Sequence, residues 1–199
     1  HGRDFWKEAV VSQDYEKVIF LGDYSDPYDI EGITDDVAID NFKSIIDYKQ
    51  QNPDKVVLLL GNHDLHYYSE FYYELAGGVR YDPLAAISLQ RLFQENPQLF
   101  KLAYETDWGG KRYLFSHAGI TQCWLKRNID LIRKPDARHL NRLIHSNEGL
   151  EALAQVGEMR WGDYPSGSMV WADVEEMLIS RSEERRVRKE CRSRRSPYH

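Results

Sequence analysis

The chain has 199 residues, 42% of them hydrophobic, and a formal net charge of −6, enough for one α/β domain with a core of its own. No apolar run approaches the roughly 18 residues needed to cross a membrane, and no secretory leader is visible. Two cysteines, Cys123 and Cys191, give no pairing framework, so a cytoplasmic protein with no membrane partner is expected.

In chain order, His1 to Val11 reads as a loop entering a helix. Lys17 to Leu21 reads as a buried strand that runs into Gly22-Asp23-Tyr24-Ser25-Asp26-Pro27. Thr34 can cap a helix with Asp35 and Asp36 in its first turn, where carboxylates suit the dipole. Ala38, Phe42, Ile45, Ile46 and Lys49 recur on one face at helical spacing, and Asn52-Pro53-Asp54 stops the helix. Residues 55–60 form a second strand, giving a β-α-β unit with a parallel crossover. This strand runs straight into Gly61-Asn62-His63-Asp64.

His66 to Glu74 is rich in Tyr and Phe and resembles a wall or lid, with His66 at a pocket wall or on the surface. Asp82-Pro83 starts a helix that reaches about Asn96. Residues 100–106 and 111–115 read as a hairpin turning at Gly109-Gly110, and the second of these strands leads into Ser116-His117-Ala118-Gly119. Helices are expected at 121–128 and 136–147, a loop at 162–167, a short strand at 169–172 and a further element from Asp173 to Ile179. Cys123 is expected as a small core residue, and Trp6, Trp108, Trp161 and Trp171 as packing residues.

Three apolar strands thus each deliver Asp, Asn or His at a carboxyl end. A parallel sheet gathers ligands outside those ends, so a metal site is the natural reading. Each residue has a plainer alternative: a turn for Asp23 and Asp26, a strand-capping core histidine for His63, and packing for the tyrosine cluster.

The order Gly-Asp-x-x-Asp, Gly-Asn-His-Asp, Ser-His-Ala-Gly resembles the calcineurin-like metallophosphoesterases over residues 1–180. The resemblance implies a metallophosphoesterase-type αββα sandwich, here incomplete, and hydrolysis of a phosphoester. It implies two divalent or trivalent metal ions of Mn, Fe or Zn type, with a metal-bridging hydroxide as nucleophile. His1 would bind the first metal, Asp23 would bridge both, and Asn62 and His117 would bind the second. His63 would be the general acid toward the leaving oxygen, and Asp26 would hold and charge its imidazole. Asp64 belongs to the supporting shell. The implied partner is a phosphorylated substrate: a small molecule, a nucleotide or a phosphoprotein. A non-catalytic phosphate- or protein-binding relative on the same scaffold is the alternative reading.

Two departures stand out. The protein phosphatase branch reads Gly-Asp-x-x-Asp-Arg-Gly, whereas Pro27-Tyr28 stand here in place of Arg-Gly. The arginine that would clamp phosphate bidentately is therefore absent from that position, and Arg160 is the candidate to supply a substrate contact from elsewhere. The family's opening Asp would lie two residues before His1, and no Gly-His-x-His follows His117. The chain as written is accordingly expected to bind metal poorly and to be nearly inactive.

Residues 181–199 carry eight Arg and Lys against three Glu, which leaves −11 on the preceding 180 residues. The segment resembles the conceptual translation of a short-read sequencing adapter, with Arg188 and Arg195 where that translation has Gly and Trp. It is expected to be an artefactual, disordered tail, and no nucleic-acid partner is expected once it is set aside.

Overall fold

The computed structural model describes residues 4–11, 14–77 and 80–178. His1 and the basic tail lie outside the described residues. The α/β class expected from the sequence is what the chain adopts, with one parallel and one antiparallel sheet.

Strand β1 (Val18–Phe20) pairs in parallel with β2 (Val56–Leu59), Val18 opposite Val56 and Phe20 opposite Leu58. The crossover runs through α2 (Asp35–Gln51); the first helix, α1 (Trp6–Val11), precedes β1. Every residue of β2 is buried, as expected of a central strand covered on both faces. Its other edge pairs in parallel with β3 (Phe100–Lys101). The apolar face read from α2 is the one it buries, with Ala38, Phe42, Ile45 and Ile46 in the core. Thr34 occupies the N-cap position but its hydroxyl makes no capping bond.

The segment 62–76 is helical: α3 (Asn62–Tyr68) and α4 (Glu70–Ala76), with Ser69 capping the second through the N–H of Tyr72. His66 is buried, at 1% exposure, where a wall or surface position was expected. Helix α5 (Pro83–Glu95) begins as read: Asp82 accepts from the Leu84 N–H, and Pro83 stands at the first helical position. Tyr24, Phe42, Phe93 and Phe100 form an aromatic centre, Tyr24 stacking on Phe42 at 4.8 Å.

Several expectations are corrected. The hairpin turning at Gly109-Gly110 forms as read, β5 (Lys111–Ser116) pairing antiparallel with β4 (Ala103–Trp108), but in a sheet of two, so the strand leading to His117 lies outside the parallel sheet. The stretch 100–106 is two strands, because the chain bends at Leu102 and changes sheets. Asn141 secures that bend. Its Oδ1 accepts from the N–H groups of Leu102 and Ala103 at 2.7 and 2.8 Å, and its Nδ2 donates to the Ala103 carbonyl.

Residues 121–128 contain α6 (Gln122–Arg127), followed by α7 (Ile129–Ile132). The helix read at 136–147 is broken into α8 (Ala137–Leu140) and a 3₁₀ segment (Asn141–His145), and Ser146 then caps α9 (Asn147–Leu153). Gly149 lets this turn pack closely on Leu143, whose carbonyl would lie 2.1 Å from a Cβ there. Residues 169–172 are a turn closed by N–H bonds from Trp171 and Ala172 to the Ser168 carbonyl, not a strand. Residues 174–178 are helical.

Cys123 is exposed, its neighbour Trp124 having taken the core position on α6. Trp108 and Trp161 are also exposed, at 70% and 97%, rather than packed. No helix among the described residues is long and apolar enough to cross a membrane.

Candidate active site

The loop after β1 and the start of α3 meet backbone to backbone. Gly22 has φ of +99°, and a Cβ there would lie 2.3 Å from the Gly61 nitrogen. A Cβ on Gly61 would in turn lie 2.2 Å from Asp23 Oδ1 and 2.8 Å from His117 Cε1. The two glycines leave a hollow where the candidate ligands converge. Asp23 and Asp26 themselves have φ of +57°, a conformation that costs a non-glycine residue free energy and clusters at functional sites.

Asp64 fastens these loops. Its carboxylate accepts from the backbone N–H of Asp23 at 2.6 Å, Tyr24 at 2.9 Å and Gly61 at 2.7 Å. Burial, with the Asp23 carboxylate beside it, pushes the Asp64 carboxyl well above the usual carboxylate range, against the three N–H donors. Tyr24 anchors the same loop from below, donating to the Leu59 carbonyl at 2.8 Å. Burial raises that phenol well above its ordinary value.

His117 Nδ1 lies 2.6 Å from the Leu21 carbonyl, which can only accept, so Nδ1 carries the proton. The lone pair of Nε2 then faces Asp23 Oδ2 at 3.5 Å. An imidazole nitrogen and a carboxylate oxygen at this spacing are two donors that a metal ion could share. A histidine ligand oriented through its other nitrogen by a carbonyl has this form. Asn62 is buried between Gly61 and His63, and the N–H of His63 reaches Asp23 Oδ1 at 3.2 Å.

Among the described residues no group of three or more His, Cys, Asp or Glu gathers to hold an ion. The residues that do converge are one carboxylate and one imidazole beside an amide. They fit a divalent cation of the kind that takes mixed N and O ligands. His1 cannot be placed, because it lies outside the described residues.

His63 stands on the other side. Its Nδ1 lies 2.7 Å from Asp26 Oδ2, and Tyr67 donates to Asp26 Oδ1 at 2.5 Å. Asp26 is buried, so both its oxygens are committed and the imidazole is fixed in direction. Burial, then the hydrogen bond to Asp26, raises the Tyr67 phenol far above its ordinary value. Tyr67 was read from sequence only as packing. The signal was there, since it follows His63 by one helical turn and so shares its face.

Arg80 had no such signal. Its Nη2 lies 2.8 Å from His63 Nε2, and its guanidinium carbon sits 3.6 Å over the Tyr28 ring. Beneath them lies His66, both of whose ring nitrogens are buried without a hydrogen-bond partner. Burial pushes its pKa down to about 4. Arg160 is placed elsewhere, in a cleft of about 570 Å³ lined also by Leu75, Trp161, Tyr164 and Trp171. Its Nε pairs with Asp173 at 3.5 Å.

The chain belongs to the calcineurin-like phosphoesterases, the family model matching residues 3–176. It is thus a member of a phosphoester hydrolase family whose proteins generally bind divalent metals. No curated protein and no solved structure matches the chain.

Proposed function

We propose that the site these residues build is one for hydrolysis of a phosphoester with two bound metal ions, His63 serving as proton donor to the leaving oxygen. The observation that carries the reading is the pairing of two half-sites. An imidazole locked by Asp26, itself held by Tyr67, stands one residue from Asn62, and an Asp23–His117 pair of the kind that holds a cation lies in the same loops. Asp23, Asn62 and His117, with His1 as a further ligand, would hold the metals. The metals, when bound, lower the pKa of the attacking water and offset charge on the phosphoryl oxygens.

The side chains do the rest. Asp26 fixes the His63 tautomer with the proton on Nδ1, so that Nε2 is the nitrogen aimed away from the carboxylate. A protonated Nε2 donates to the leaving oxygen as the P–O bond breaks. Asp64 holds the three N–H groups that set loop spacing. Arg160 is the candidate for a contact farther out on the substrate, which is a phosphorylated small molecule, nucleotide or phosphoprotein.

The test is His63→Asn in the metal-loaded protein with p-nitrophenyl phosphate. We expect kcat to fall by about two to four orders of magnitude, with metal content unchanged. An unchanged kcat removes His63 from the mechanism. A wild-type protein that binds phosphate but turns nothing over supports the second reading, a non-catalytic binder. The Asp26–His63 pair speaks against that reading, since binding alone has no need of a proton donor.

A further inference from the structure

The loop that follows Asp26 has Pro27-Tyr28 where the protein phosphatase branch carries its arginine, yet the site is not without a guanidinium. Arg80 enters from the segment between α4 and α5 and stacks on Tyr28 itself, so the residue replacing that sequence motif serves as the platform. Cation–π stacking of this closeness orients the planar fork. Nη2 ends 2.8 Å from His63 Nε2, and Nη1 is buried with no hydrogen-bond partner. Arg80 forms no ion pair with a carboxylate among the described residues. A half-buried guanidinium whose contacts are the imidazole nitrogen and an aromatic face has an unspent donor at Nη1, free to turn to a substrate oxygen when Nε2 carries its proton, and it stands in a domain of strongly negative net charge.

Resting on the proposed role of His63, we infer that Arg80 binds an anionic leaving group, and that the substrate is a phosphoanhydride rather than a phosphate ester of a neutral alcohol. The leaving oxygen must come within hydrogen-bond distance of His63 Nε2, the atom that Arg80 touches. A guanidinium at that nitrogen therefore meets the atoms just beyond the scissile bond. In an anhydride those atoms are the non-bridging oxygens of a second phosphate, which match the fork in bidentate fashion. In a simple alcohol they are carbon. In the reaction the oxygen of a hydroxide, formed by loss of a water proton to solvent, bonds to the attacked phosphorus and the bond to the bridging oxygen breaks. The bridging oxygen keeps the electron pair and takes the His63 proton, and Arg80 offsets the charge on the departing phosphate.

The experiment compares p-nitrophenyl phosphate with ADP and inorganic diphosphate, on metal-loaded wild type, Arg80→Ala and Arg80→Lys. Thermal unfolding and metal content check that the variants are otherwise intact, and calorimetry measures diphosphate against phosphate binding. We expect wild type to hydrolyse an anhydride and Arg80→Ala to lose about 10- to 100-fold in kcat/KM on it. Loss on p-nitrophenyl phosphate should be several times smaller, Arg80→Lys should restore only part of the rate, and diphosphate binding should weaken more than phosphate binding. Equal losses on both substrates would place Arg80 on the transferred phosphoryl and overturn the inference, as would wild type active on the ester but on neither anhydride. Wild type inactive on everything overturns the proposed function and this inference together.

Discussion

At the scale of single residues, the site depends on glycines that admit no alternative. Gly22→Ala would push a methyl into the Gly61 backbone at a positive φ where alanine is already strained. It should cost several-fold in metal affinity and in activity while the protein still folds, read by metal titration beside circular dichroism. Tyr67→Phe removes one of the two bonds that hold Asp26. We expect a fall in kcat of about tenfold with KM little changed, since a hydrogen bond to a carboxylate contributes roughly 1.5–3 kcal/mol. Equal kcat in both proteins would show that His63 alone orients Asp26. Asp23, Asn62, His63 and His117 were legible because each follows a strand within four residues. Arg80 was not, because a loop arginine has no periodicity, and only the fold brings it seventeen positions back onto His63.

At the scale of elements, the sequence pattern located β1, β2, α2 and α5 closely, because apolar runs and helical spacing are local signals. It failed where a side chain from afar decides. The bend between β3 and β4 is set by Asn141, nearly forty residues away. The same physics inverted the expectations for Cys123 and Trp124, since either could fill a helix face and only packing assigns which does. Asn141→Ala leaves two strand N–H groups and one carbonyl without their partner. It should destabilise the protein by about 2–4 kcal/mol, measured as a lower urea midpoint with unchanged slope. Asn141→Asp keeps an acceptor for both N–H groups and should cost less.

At the scale of the whole molecule, acid sensitivity follows from His66. Its folded pKa of about 4 lies below the ordinary 6.5, so the unfolded chain binds the extra proton between those values. The neutral form favours folding fully above pH 6.5, and that stability is lost as pH falls toward 4. The loss reaches about 3 kcal/mol across the window. Urea midpoints from pH 7.5 to 4 should therefore decline, and His66→Phe should flatten the decline. An identical slope in both proteins would assign the acid limb to other groups.

The contact between Gly22 and Gly61 has a bearing on how this protein can change over time. With main chain against main chain, the gap between the two loops is inherited from the pairing of Val18 with Val56 and cannot be widened by exchanging a side chain. On the proposed assignment, a switch to a cation of different radius would come from rotation of Asp23, Asn62 and His117 within a fixed frame, so metal preference would be adjusted by the chemistry of three side chains.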